Sequence, residues 1–143
     1  MRVLVIDDEP DVLLLCRVNL EYAGHEVIEA LDGETGLDLA FGDPTPDLVV
    51  LDLMLPKQDG FSVLRRLHGE RATKDIPVVL LSAKAGEADQ LRGWRTGADA
   101  YVTKPFSPVA LTEAVSRVAS LSPEEREARR KEQLDQLSAL ERL

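Results

Sequence analysis

Residues 47–64 read DLVVLDLMLPKQDGFSVL. Leu48–Leu51 is a continuous apolar run with no period-two alternation, the pattern of a strand covered on both faces. The run ends on Asp52 and passes through a loop holding Pro56, which stiffens the chain, and Lys57. It then reaches Asp59-Gly60, where Gly60 supports the turn into a helical stretch, Gly60–His68. An apolar strand, a loop and a helix in so short a span form half of a βαβ unit.

The same order recurs on either side. Val3–Ile6, Glu26–Ala30, Val78–Leu81 and Ala100–Thr103 also have strand character. Asp11–Ala23, Gly33–Phe41, Glu87–Thr96 and Pro108–Ser120 have helical character. Asp32 and Ser107 suit N-cap positions, Pro108 the first helical position, and Gly24, Gly69 and Gly97 helix ends. Strand and helix alternate five times, so the expected fold is α/β: a (βα)5, doubly wound, five-stranded parallel sheet with helices on both faces. Pro123 is taken as the stop after the fifth helix, which divides the chain into residues 1–121 and a tail over 122–143. Glu124–Leu143 is rich in helix formers and predicts an extra C-terminal helix. Its leucines 134, 137, 140 and 143 make a broad apolar face, not a heptad seam. Such a helix packs on its own domain, pairs with a second copy or links to a partner.

The 143 residues are 44% hydrophobic and 30% charged, enough for one domain with its own core. No apolar run approaches the ~20 residues of a membrane span, and the start of the chain has no signal-peptide pattern. The single cysteine, Cys16, has no internal disulfide partner. A cytoplasmic location is expected. The net charge is -9 and no basic stretch stands out, so no direct nucleic-acid binding by this chain is expected.

Ligands of a doubly wound sheet sit outside the carboxyl ends of its strands. There the chain offers Asp7 and Asp8 after strand 1, Asp52 on strand 3, Ser82 and Ala83 after strand 4, and Lys104 and Pro105 after strand 5. Three carboxylates in one crevice repel each other and raise some of their pKa values. A hard divalent cation such as Mg²⁺ relieves that repulsion and still leaves positions for water or phosphate. Asp52 is then the candidate nucleophile toward phosphorus. Lys104 supplies a point charge and Ser82 a hydroxyl for the phosphoryl oxygens, while Ala83 leaves room for the group.

VLVIDDEPDV, DLVVLDLMLPKQDGFSVL, IPVVLLSAKA and GADAYVTKPFSP together span residues 1–120. With these stretches the chain resembles the receiver domain of two-component response regulators, the CheY-like, flavodoxin-like fold. The resemblance implies that a histidine kinase or phosphotransfer protein donates a phosphoryl group to Asp52. It implies Mg²⁺ held by Asp8, Asp52 and the backbone carbonyl of Met54, with Asp7 acting through water. It implies that Ser82 and Lys104 contact the phosphoryl group and that Lys104–Pro105 is cis. It further implies a switch in which Ser82 moves toward the phosphate and Tyr101 swings inward, with the signal leaving through helix 4, strand 5 and helix 5. The chain is then a signalling domain that catalyses only its own phosphorylation and dephosphorylation. DLMLPKQDG is similar to regulators with winged-helix DNA-binding domains, which pair through charges on that face. Ala100, Ala110 and Ala114 stand where those regulators carry charged residues, so a homodimer through the tail, or a monomer, competes with that mode.

Three alternative functions fit the residues less well. A Mg²⁺-dependent aspartyl phosphatase needs an acid/base Asp two residues after the nucleophile, and position 54 is Met. A non-phosphorylated interaction module has no use for the intact set of three aspartates, serine and lysine. A flavin site needs phosphate donors where strand 1 ends in carboxylates. Trp94 is expected to pack against the sheet, Cys16 to lie in the core, and His25 and His68 to be structural.

Overall fold

A computed structural model describes residues 1–84 and 86–142. The strands are β1 (Arg2–Ile6), β2 (Glu26–Ala30), β3 (Leu48–Asp52), β4 (Val78–Ser82) and β5 (Ala100–Thr103). The helices are α1 (Pro10–Tyr22), α2 (Gly33–Ala40), α3 (Gly60–Gly69), α4 (Glu87–Thr96), α5 (Pro108–Ala119) and α6 (Pro123–Glu141). All strand pairs are parallel, in the order β2-β1-β3-β4-β5. The expected (βα)5 architecture and the additional helix are both present.

The sheet separates two apolar layers. Leu4, Ile6, Val49, Leu51 and Leu80 pack on one side with Leu37 of α2 and Leu64 of α3. Val3, Val5, Val50, Val79 and Leu81 pack on the other with Cys16 of α1 and Leu111 of α5. Adjacent strand residues face opposite layers, so a strand buried on both sides has to be apolar throughout.

Element ends differ from the sequence expectation by a residue or two, and some of the differences matter. β3 and β4 each run one residue further and take Asp52 and Ser82 into the ladder. Pro123 does not stop a helix; it begins one. Its missing N–H falls in the first turn of α6, where no intrahelical partner exists. Ser122 caps that turn, and Glu125 reaches back to the Ser122 amide to complete a capping box. Asp32 and Ser107 cap α2 and α5 as expected. Gly97 ends α4 in the left-handed region at φ 114°, whereas Gly69 ends α3 without a positive φ. Gly60 serves by close approach, because a Cβ there would lie 2.5 Å from the Asp52 carbonyl oxygen. Lys104–Pro105 is cis, and so is Asp43–Pro44, which was not anticipated.

Helix α6 lies against α4. Arg126, Arg129, Arg130, Gln133, Leu134 and Leu137 form its half-buried face, while Leu140 is exposed and Leu143 lies outside the described residues. The packing therefore uses Leu134 and Leu137 of the expected apolar face, and arginines for much of the rest. Among the described residues no helix is long and apolar enough to cross a membrane.

Candidate functional site

Sheet register brings the polar strand ends together. Ile6 sits beside Leu51, so Asp7 follows β1 next to Asp52 at the end of β3. Ser82 sits beside Thr103 at the ends of β4 and β5, and Lys104 comes next. The Lys104 amide donates to the Ser82 carbonyl oxygen at 2.7 Å, which anchors the start of the loop after β5.

Lys104 Nζ is the centre of the charge arrangement. It donates to Asp7 Oδ2 at 2.9 Å and Glu9 Oε1 at 3.3 Å, and stands 3.4 Å from Asp52 Oδ2. Asp7 and Asp52 are buried, whereas Asp8 and Glu9 are exposed. Each buried carboxylate also accepts a backbone amide two residues ahead: Asp7 Oδ1 from Glu9 at 2.9 Å, and Asp52 Oδ1 from Met54 at 3.1 Å. These bonds fix both side chains against their own loops. The loop after β3 exposes the Met54 side chain.

Burial raises the pKa of both Asp7 and Asp52, since it penalises their charged forms. The backbone amides and Lys104 oppose that rise, and Asp7 adds to it at Asp52. Burial also pulls Lys104 down, but the bond to Asp7 and the charges of Asp52 and Asp7 outweigh it and hold the ammonium above its ordinary value.

Carboxylate oxygens of Asp7, Asp8, Glu9 and Asp52 all lie within 4.8 Å of one another. Octahedral Mg²⁺ binds oxygen at about 2.1 Å, so its ligands are spaced up to ~4.2 Å apart. The oxygen donors suit such an ion; a spread of up to 4.8 Å exceeds one coordination shell, so the ion would take some of the four carboxylates directly and the rest through water. Glu9 was missed as a member. Its position directly after Asp7-Asp8 was the available signal, obscured because a residue at the N-terminus of a helix reads first as a cap.

The structure thus brings Asp7, Asp8, Asp52 and Lys104 to one end of the sheet. Ser82 is fully buried, and its Oγ accepts from the Lys84 amide at 3.0 Å. Tyr101 is half-buried; its hydroxyl donates to the Lys84 carbonyl oxygen at 2.6 Å and its ring packs against the apolar layer that holds α2 and α3. Burial raises the Tyr101 pKa, against a lowering contribution from Ser82. His25 and His68 lie apart from the carboxylates, beside the N-terminal amine and Gly97 respectively. Cys16 is in the core and Trp94 is buried.

Residues 3–116 match the response regulator receiver domain family. The chain belongs to that family. The receiver is 47% identical over 120 residues to the DNA-binding dual master transcriptional regulator RpaA of a Synechocystis species, covering 84% of this chain and 48% of that protein. It is 46% identical over 107 residues to the alkaline phosphatase synthesis transcriptional regulatory protein PhoP of Bacillus subtilis, covering 75% of this chain and 43% of the relative. This receiver chain therefore spans about half the length of the curated relatives it matches. Among solved structures, Thermotoga maritima DrrB, an OmpR/PhoB homologue, is similar with a TM-score of 0.73 at 34% identity, over 81% of this chain and 51% of DrrB. Vibrio cholerae chemotaxis protein CheY4 gives a TM-score of 0.77 at 27% identity, over 82% of this chain and 97% of that one. As a receiver of two-component response regulators, the domain is a signalling module.

Proposed function

We propose that this receiver accepts a phosphoryl group on Asp52 from the phosphohistidine of a histidine kinase or phosphotransfer protein, and changes conformation in response. The observation that carries the reading is the Asp52 carboxylate at the end of β3, faced by the Lys104 ammonium and bordered by Asp7, Asp8 and Glu9. An Asp52 carboxylate oxygen attacks phosphorus, the P–N bond of the donor breaks, and the departing imidazole keeps the electron pair and takes up a proton. The product is an acyl phosphate. Asp7, Asp8 and Asp52, with the Met54 carbonyl, would hold Mg²⁺, which supplies charge neutralisation for the crowded oxygens.

Lys104 then pairs with a phosphoryl oxygen and Ser82 donates its hydroxyl to another. Drawing Ser82 inward disturbs its bond with the Lys84 amide, and the Lys84 carbonyl is where the Tyr101 hydroxyl is tied. A local charge event is thereby passed to β5 and α4. Residues 1–121 form the receiver proper and residues 122–143 a helical tail. The signal leaves through the α4–β5–α5 face or through α6, toward an output protein or a second copy, in the cytoplasm.

Intact-mass spectrometry after acetyl phosphate treatment tests the assignment. Wild type is expected to gain one phosphoryl group and Asp52→Asn none. Undiminished labelling of the variant would place the nucleophile elsewhere.

A further inference from the structure

Asp99, just before β5, is a carboxylate only 3% exposed. Its Oδ2 accepts from the Val78 amide at 2.9 Å, which ties it to the start of β4. Its Oδ1 accepts from Arg130 of α6, and Arg126 Nε stands 3.5 Å from the same oxygen. Arg129 donates to the Asp99 carbonyl oxygen at 3.0 Å and lies over the Trp94 ring, 5.6 Å from its centroid. Three arginines spaced i, i+3 and i+4 thus converge on one residue, while no residue of α6 is fully buried. The helix is held by these polar hooks and by the half-buried Leu134 and Leu137, with no side chain taken fully into the core. Segments attached in this way open at low cost relative to the whole fold.

The hooks grip α4 and the head of β5, and Arg126 also donates to the Asp75 carbonyl oxygen at 2.7 Å in the loop before β4. Arg129 sits on Trp94 of α4, and Arg126 and Arg130 sit on Asp99 at the head of β5. Between these elements lies Tyr101. Gly93 makes room for its ring, since a Cβ there would meet Tyr101 ring carbons at 3.1 and 3.2 Å. The Tyr101 hydroxyl holds the Lys84 carbonyl, and the Lys84 amide holds Ser82 Oγ. Contacts therefore run without a break from Ser82 through Lys84 and Tyr101 to α4, and from α4 to α6.

We propose that α6 is a detachable latch: it is docked by Asp99 while Asp52 is free and released when Asp52 is phosphorylated. The proposal rests on the phosphoacceptor reading given above. A helix bridging α4 and β5 cannot keep both sets of hooks when α4 shifts relative to β5, so the state that moves Ser82 and Tyr101 is the state that loosens α6. Release also removes Arg129 and Gln133 from the rim of the cleft between α4 and α5, whose volume is about 580 Å³. Linkage is reciprocal in free energy, so cutting the hooks favours the phosphorylated arrangement.

Hydrogen exchange of the full chain, read by mass spectrometry on peptides from 124–141, tests this. Acetyl phosphate labelling, verified by intact mass, is expected to speed α6 exchange several-fold. Arg126→Gln/Arg130→Gln is expected to exchange fast without phosphate and to bind beryllofluoride, a non-reacting mimic of the phosphoryl group, about fivefold more tightly, the lower end of ordinary allosteric coupling. Arg129→Gln leaves the Asp99 carboxylate paired and is expected to move both readouts the same way by less; it decides the matter if the double substitution unfolds the chain. A chain phosphorylated on Asp52 whose α6 exchange is unchanged would overturn the latch, as would loosened variants that bind beryllofluoride with wild-type affinity. A chain that takes no phosphoryl group on Asp52 would overturn the phosphoacceptor reading, and the latch with it.

Discussion

Lys104 Nζ stands 3.4 Å from Asp52 Oδ2 and bonds Asp7 Oδ2 at 2.9 Å, bridging the ends of β5, β3 and β1. One ammonium faces two buried carboxylates, with Asp8 and Glu9 adding negative charge at the surface. Without a cation, the cluster carries more negative charge than the protein compensates. Geometry suited to binding is here bought with stability.

That imbalance has a measurable consequence. Asp52→Asn keeps the shape and an acceptor for the Met54 amide but removes one buried charge. In EDTA its urea midpoint is expected to lie above the wild-type value, with a stability gain of roughly 1 kcal/mol, within the range of ordinary single substitutions. Added Mg²⁺ is expected to stabilise wild type more than the variant, because only the state that binds the ion gains. A less stable variant in EDTA would contradict the charge argument.

Gly60 sets the position of Asp52 from below. A Cβ at Gly60 would lie 2.5 Å from the Asp52 carbonyl oxygen and 2.6 Å from the Leu53 Cα, both backbone atoms with little freedom to yield. Gly60→Ala is expected to cost about 1–3 kcal/mol in denaturant melts, the usual cost of overpacking. It is also expected to slow labelling by acetyl phosphate, since the end of β3 has to move. A variant with wild-type stability and labelling would remove Gly60 from the design of the site.

Cys16 offers a pH-dependent probe of core integrity. Burial, with a further contribution from Asp7, pushes its thiol up to about 12. The folded state favours the neutral thiol, so the associated stability is full below the ordinary thiol pKa of ~8.5 and is lost as pH climbs through about 12. Ellman's reagent at pH 8 is expected to react with the native chain far more slowly than with chain unfolded in urea. Equal rates would show that α1 does not seal the thiol.

Lys104→Ala separates labelling from response. The variant is expected to accept a phosphoryl group on Asp52 yet lose most of the phosphorylation-dependent change, read as Trp94 fluorescence or as α6 exchange. A variant that responds in full would take Lys104 out of the relay.

The fold was legible because its signals are local and repeated. The apolar runs of β1, β3 and β4 have to be continuous when both faces are covered, and Asp32, Ser107 and Gly97 mark helix ends by their own chemistry. The site was legible because register follows from topology: strands that are parallel and adjacent bring Asp7, Asp52 and Lys104 to one end. What escaped is non-local or ambiguous. Pro123 breaks one helix and starts the next with equal ease, and only the capping box around Ser122 and Glu125 decides between them. Nothing in the sequence around Asp99 shows that three arginines arrive from a helix that follows α5. Glu9 was not singled out; it stands at the N-cap of α1, yet its side chain makes no capping bond and reaches Lys104 instead.

On the proposed reading, carboxylates at the ends of β1 and β3 and an amine after β5 together hold a cation and a transferred phosphate on Asp52. Borohydride trapping reads this out at a single residue, because it reduces an aspartyl phosphate to homoserine where the phosphate sat. After acetyl phosphate treatment, peptide mass spectrometry is expected to find homoserine at position 52 with Mg²⁺ present and almost none in EDTA. Homoserine at another aspartate, or equal conversion of Asp52 without the metal, would contradict the account.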